Sequence, residues 1–182
     1  MTTATAFQNS ATSTSATRST ATETTASDVG LLALRVGFGG LLAVHGAQKL
    51  FGWFGGYGLQ ATQDGFEAMG YNPGVLFGTL AGVSELVGGL LLLLGLFTPL
   101  AAAIALGTMV NALNATWSGG FVAWEMAALF GIASVALAFT GPGRFSLDAG
   151  KPWQRQGLVW AGAAVALAVG AGVLTLILKW VL

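Results

Sequence analysis

The chain has no cysteine and one histidine among its 182 residues. The lack of cysteine excludes disulfides, thiol catalysis and cysteine-ligated iron–sulfur clusters. One histidine cannot supply both axial ligands of a bis-histidine haem, and without cysteine beside it, it does not make an ordinary zinc site. The sequence therefore predicts no metal bound by its own side chains and no intrinsic cofactor.

Charged residues are also scarce. They make up 8% of the chain, and hydrophobic residues make up 54%. Soluble domains carry about 25% charged residues, so the composition is typical of an integral membrane protein. The formal net charge is zero, which argues against a nucleic acid partner.

Hydropathy divides the chain into a tail and five spans. Residues 1–27 form a low-complexity tail in which 15 of 27 residues are Ser or Thr, too polar to bury a core. Each later apolar run is long enough for a membrane helix. The predicted spans are about 31–51, 75–97, 100–116, 121–139 and 158–182. We expect an all-α fold, an integral membrane four-helix bundle over residues 28–150, followed over 151–182 by a loop and a fifth transmembrane helix.

The first span carries polar side chains on one face. His45 and Lys49 follow Arg35 by 10 and 14 residues, which is close to three and four turns of an α-helix. The three side chains therefore lie on one stripe of the helix surface. Ionisable groups in a bilayer are costly unless they face protein or water. This stripe is therefore predicted to face the other helices.

Polar residues on four spans are predicted to lie at a similar depth, counted at about 1.5 Å of rise per residue. These residues are His45, Glu85, Asn111, Asn114 and Glu125, with Gln48 and Lys49 at the mouth of the layer and Trp53 at its entrance. The hypothesis is a small-molecule pocket opening to the outer leaflet. Taken singly, the asparagines also fit interhelical hydrogen bonds, and Lys49 fits a side chain that reaches the interface.

Arg35 is predicted to lie toward the inner side of the bundle. Its long side chain would reach Glu85, and a buried Arg35–Glu85 pair that locks two helices is favoured over a catalytic couple.

Three motifs resemble one family. They are HGAQKLFGWFGG at residues 45–56, AGVSELVGG at 81–89 and GPGRFSLD at 141–148, and together they resemble the DoxX family of bacterial membrane proteins over residues 29–150. The resemblance implies a four-helix domain in the bacterial inner membrane. Relatives include a membrane subunit of a thiosulfate:quinone oxidoreductase and a mycobacterial member of a thiol-linked oxidative-stress complex. The residues that match the family's polar positions are Arg35, His45, Gln48, Lys49 and Glu85.

The favoured function is a membrane subunit of a redox or respiratory assembly. It would bind quinone in the polar pocket, with His45 and Glu85 as candidate catalytic groups and electrons supplied by another subunit. Whether the chain is part of a quinone-linked oxidoreductase or an accessory subunit stays open. Alternatives are a non-catalytic scaffold subunit and a small-molecule carrier. Expected partners are membrane lipids and other subunits, and no nucleic acid.

Basic residues predict the orientation. Arg18, Arg144, Lys151 and Arg155 lie on the side of the N-terminus, and Lys49 and Lys179 on the other. The positive-inside rule then places the N-terminus in the cytoplasm.

Overall fold

The computed structural model describes residues 25–181, and all regular structure within this range is helical. Five helices are long and apolar enough to cross a membrane. They are α1 (Thr25–Phe51), α3 (Gly74–Leu94), α4 (Thr98–Thr116), α5 (Phe121–Thr140) and α6 (Leu158–Val181), and the short α2 (Gly58–Ala68) lies between α1 and α3. This confirms the predicted all-α membrane fold with five spans. The predicted tail lies outside the described residues, except for its last three residues, which are helical in α1.

Glycines let α1 and α3 cross at close range. A Cβ at Gly39 would lie 2.6 Å from the backbone nitrogen of Leu93, and one at Gly89 would lie 2.7 Å from the carbonyl oxygen of Gly39. Gly39 ends a π-helical turn in α1, Arg35–Gly39. Small residues permit backbones to approach closely in a membrane, where no hydrophobic force draws helices together. The two backbones are therefore in direct contact.

The Gly78-x-x-x-Gly82 spacing of α3 serves two neighbours. A Cβ at Gly78 would lie 2.9 Å from the Cα of Gln63 in α2, and one at Gly82 would lie 2.7 Å from the side chain of Leu50 in α1. Because Gly78 has no side chain, α2 packs against the first half of α3. The absence of a side chain at Gly82 leaves space for Leu50 of α1. Together, these contacts place α2 beside the end of α1.

The core lies where α1, α3, α4 and α5 meet. Phe38 and Leu42 of α1 pack there with Leu92 of α3, the alanines of α4 and Phe130 of α5. The helix α6 packs on α4 through small residues, since Ala161, Ala164, Ala168 and Gly172 are buried. The fifth span is therefore part of the same bundle.

The connection between α5 and α6 folds back over one end of the bundle. Asp148 is 1% exposed and accepts hydrogen bonds from the backbone nitrogens of Phe97 and Thr98, both at 2.9 Å, which caps the start of α4. At the start of this connection, the backbone nitrogen of Arg144 donates to Asp28 of α1 at 2.9 Å. The loop thus ties α1, α3 and α4 together at the end of the bundle that carries the N-terminus of α1.

Candidate functional site

The polar end of α1 is covered by the chain that follows it. The helix stops at Gly52, which has a φ of 71°, a left-handed conformation that glycine adopts without strain. The chain then turns back over α1, and the Gln48 side-chain amide donates to the carbonyl of Phe54 at 3.2 Å. In α2, the hydroxyl of Thr62 lies within hydrogen-bond distance of two carbonyl oxygens, that of Gly58 at 2.8 Å and that of Lys49 at 3.1 Å. These contacts fix α2 across the end of α1.

A cavity of about 460 Å³ lies between the last turns of α1, this loop and α2. His45, Gln48 and Lys49 form its polar side. The other side carries glycines and the larger residues Tyr57, Phe66 and Met69. Three neighbouring polar side chains facing an apolar wall are typical of sites that orient a small lipophilic ligand. We call this space the α1–α2 pocket.

Beside the pocket, Lys49 pairs with Glu85. Lys49 Nζ lies 2.5 Å from Glu85 Oε2, and the two side chains are 29% and 7% exposed. The buried carboxylate is thus neutralised by a cation that also reaches the cavity. This pair is the ionic contact between the pocket and α3.

His45 is half-buried and lies against α5. Its ring meets the Phe130 ring edge-on, with centroids 5.8 Å apart, and Phe130 in turn contacts Phe38. Within residues 25–181 no side chain accepts or donates a hydrogen bond to the imidazole. The imidazole nitrogens are therefore available to a ligand in the pocket.

The predicted pairing of Arg35 with Glu85 was wrong. Arg35 is 1% exposed and donates to the carbonyl of Leu93 at 3.3 Å and to that of Phe145. Because α1 and α3 are antiparallel, Lys49 is level with Glu85, and Arg35 is level with the end of α3. The α5–α6 loop, residues 141–157, holds the ends of α1, α3 and α4 together, and we call it the clamp. Arg35 therefore contacts the clamp and does not line the pocket.

The predicted layer of five polar residues does not form either. Asn114 and Glu125 are exposed, and Trp53 is 61% exposed and does not line the pocket. The Asn111 amide donates to the carbonyls of Gly107, one turn earlier in α4, and of Gly172 in α6, at 3.2 and 3.3 Å. Asn111 lines a separate cavity of about 210 Å³ between α3, α4 and α6. Equal depth in the membrane did not imply a shared face, because α4 and α5 are rotated away from the end of α1.

Sequence reasoning missed the apolar wall and the clamp. Phe66 and Met69 of α2 line the pocket, although neither is among the predicted site residues. Asp148 is not among the predicted site residues either. The signal for it was its place at the end of the GPGRFSLD motif, the third of the three motifs that resembled one family.

Among the described residues, no group of three His, Cys, Asp or Glu side chains lies close enough together to hold a metal ion. The donors of the pocket are an imidazole, an amide and an ammonium group, which suit a neutral or anionic oxygen acceptor.

The comparisons with known proteins agree with the motifs. Over an alignment of 100 positions, which covers 46% of this chain and 60% of the relative, the chain is 40% identical to an uncharacterized membrane protein of Mycobacterium tuberculosis. No solved structure matches the chain. The model of the DoxX family matches residues 30–119, which include α1 from its second turn, the pocket, α3 and α4. The motif at residues 141–148 lies beyond the matched part. Residues 30–119 of this membrane protein therefore form a DoxX family domain.

Proposed function

We propose that this DoxX family membrane protein is a subunit of a redox assembly and binds the headgroup of a quinone in the α1–α2 pocket. The observation that carries the proposal is the composition of the pocket. Three side chains that can donate hydrogen bonds line one side of a cavity of about 460 Å³, and the rest is lined by three glycines with Tyr57, Ala61, Thr62, Phe66 and Met69. A quinone headgroup matches this arrangement, because its carbonyl oxygens accept hydrogen bonds and its ring is apolar.

The donors fit carbonyl oxygens. Lys49 gives one of its three N–H groups to Glu85, which leaves the others for a ligand. The imidazole of His45 has no hydrogen-bond partner among the described residues. Gln48 is held by Phe54, so its position is fixed before a ligand arrives. Pre-organised donors reduce the entropy lost on binding.

The wall of the pocket also fits a flat ring. Phe66 and Met69 offer an aromatic face and a thioether, and Gly55, Gly56 and Gly65 leave space between them. Phe66 also lines the cavity between α3, α4 and α6, whose walls are mostly apolar. The isoprenoid tail of a quinone would find an apolar path on that side.

Proton transfer is assigned to Lys49, Glu85 and His45. A bound quinone would accept two electrons and two protons. Lys49 Nζ lies 2.5 Å from Glu85 Oε2, and the imidazole of His45 can donate or accept a proton at its ring nitrogens. The electrons are proposed to come from another subunit, since the chain has no cysteine for dithiol or iron–sulfur chemistry.

The orientation is also a proposal. The clamp carries Arg144, Lys151 and Arg155, and the pocket lies at the opposite end of the bundle. With the basic loop on the cytoplasmic side of a bacterial inner membrane, the pocket would open toward the outer leaflet.

The test is quinone binding by the full chain in lipid nanodiscs. Short-chain benzoquinone and naphthoquinone would be titrated while quenching of tryptophan fluorescence is followed. We expect His45→Ala and Gln48→Leu each to weaken binding about tenfold, the effect of losing one well-placed hydrogen bond. Glu125→Gln is the matched control because Glu125 is exposed and outside the pocket. Equal affinities in all four proteins would refute the quinone site.

A scaffold subunit is the second candidate, and one observation favours it. The buried charges Arg35, Glu85 and Asp148 all have partners within the chain, so they stabilise the bundle without any ligand. Isolation of the native complex from membranes that carry His45→Ala separates the two functions. An intact complex without quinone-linked activity supports the redox site, and an intact, fully active complex supports the scaffold.

A further inference from the structure

A second groove lies at the clamp end of the bundle, far from the α1–α2 pocket. It measures about 250 Å³ and runs between the first turns of α4 and α6. Its walls are apolar apart from one side chain, that of Arg155. They comprise Phe97, Pro99, Leu100, Ala103, Trp153, Trp160, Ala163, Ala164 and Leu167.

Asp148 builds the rim of this groove. Its Oδ1 atom accepts from the backbone nitrogen of Phe97 at 2.9 Å and from the indole Nε1 of Trp153 at 3.1 Å. Phe97 has a φ of 47°, an uncommon conformation for a residue with a side chain, so these bonds hold it in place. The centroids of the Phe97 and Trp153 rings lie 6.1 Å apart. The aromatic rim is therefore fixed by a buried carboxylate.

One cation, Arg155, lines the groove. Arg155 lies over the Trp160 ring, with its guanidinium carbon 5.1 Å from the centroid, and commits one N–H to the carbonyl of Pro152. Lys151 is exposed nearby in the chain. The carboxylate of Asp148 is the one acidic group in residues 140–157, and it is buried and taken up by four N–H and O–H donors. The exposed charge of this loop is therefore purely cationic.

We propose that this groove binds one anionic glycerophospholipid. One acyl chain would lie along Leu100, Ala163 and Leu167, and the phosphate would meet the remaining N–H groups of Arg155, with Lys151 adding attraction. Tryptophan side chains prefer the depth at which headgroups meet acyl chains, and Trp153 and Trp160 line the groove together with Arg155. Basic pockets between transmembrane helices are suited to anionic headgroups for the same reason.

The experiment compares two lipids with identical acyl chains, phosphatidylglycerol and phosphatidylcholine. The full chain, purified in mild detergent, would be mixed with each lipid, and retained lipid counted by native mass spectrometry. We expect about fivefold stronger retention of phosphatidylglycerol, the effect of one basic residue near an anionic headgroup. Arg155→Gln should bring the two lipids close to parity. Arg144→Gln removes the same charge from the same loop, but its side chain lies by Asp28 outside the groove, so the preference should persist.

The groove itself is tested by Ala163→Phe, which fills it from the exposed face of α6. This variant should reduce retention of phosphatidylglycerol although all basic residues remain. If Arg155→Gln and Arg144→Gln lower the preference equally, the loop attracts lipid by net charge alone and the site is refuted. Retention unchanged by Ala163→Phe would likewise overturn the assignment of an acyl chain to the groove.

Discussion

Lys49 Nζ lies 2.5 Å from Glu85 Oε2 and joins the last turn of α1 to the middle of α3. The glutamate is almost fully buried, and its lysine partner is exposed on one side to the α1–α2 pocket. The same contact thus stabilises the crossing of two helices and places a cation where a ligand would bind.

Removing one partner of this pair should cost more stability than removing both. Lys49→Met leaves a buried carboxylate without a cation, and we expect a loss of about 2–4 kcal/mol in the free energy of unfolding. The double variant Lys49→Met with Glu85→Leu should recover much of this loss. Unfolding in detergent micelles would give the coupling energy from the double-mutant cycle. Additive effects of the two substitutions would show that the pair is not formed.

Two glycine-to-alanine substitutions should have opposite effects. A Cβ at Gly89 would overlap the backbone of α1, so Gly89→Ala should destabilise the protein by about 1–3 kcal/mol. No atom lies within 4 Å of a Cβ at Gly170 in α6. Gly170→Ala should therefore be neutral or stabilise α6 by up to about 1 kcal/mol. Thermal unfolding of both variants in the same detergent checks this, and equal melting temperatures would argue against the α1–α3 crossing.

Replacement of Asp148 should loosen the clamp. In Asp148→Ala the backbone nitrogens of Phe97 and Thr98 lose their acceptor, and buried donors without partners destabilise by about 1–3 kcal/mol each. We expect a lower melting temperature together with a change in tryptophan fluorescence, because Trp153 loses its hydrogen bond as well. The exposed residue Asp64 gives the control, Asp64→Ala. A clamp that contributes nothing would leave both variants equally stable.

Tyr71 should make stability fall at alkaline pH. Burial raises the pKa of its phenol, and the unfolded chain has an ordinary value of about 10. The folded state therefore holds its proton more tightly, and this contribution is complete below about pH 10 and is lost as pH rises through the folded pKa. Unfolding measured from about pH 9 to about pH 11 should show a steeper decline in the native protein than in Tyr71→Phe.

The same comparison separates Tyr71 from its neighbour Lys179. The ammonium of Lys179 lies 4.2 Å from the centre of the Tyr71 ring. Tyr71→Phe keeps the ring, so the contact with the cation persists in both proteins and cancels in the difference. Identical slopes would mean that the phenol is not desolvated.

Local composition was enough to predict the spans. The apolar runs of α3, α5 and α6 lie within a few residues of their predicted positions, and α1 ends at Phe51 as predicted. These features depend on hydropathy and backbone preference along one segment, which can be counted from the residues alone. The polar stripe of α1 was predicted to face protein on the same basis, and Arg35 is indeed buried.

Which residues the polar side chains contact depended on how the helices pack against one another. The close contacts of Gly39 with Leu93 and of Gly89 with Gly39 set the register of α1 against α3, and in this register Lys49, not Arg35, is level with Glu85. The rotation of α5 leaves Glu125 exposed, and the packing of α6 turns Asn111 away from the pocket. The amino-acid sequence by itself determined a five-span membrane helical bundle with its charges collected on few faces, because hydropathy acts within each segment. Only the tertiary structure decided which charges meet, because the axial shift and rotation of packed helices are set by side-chain and glycine contacts between segments.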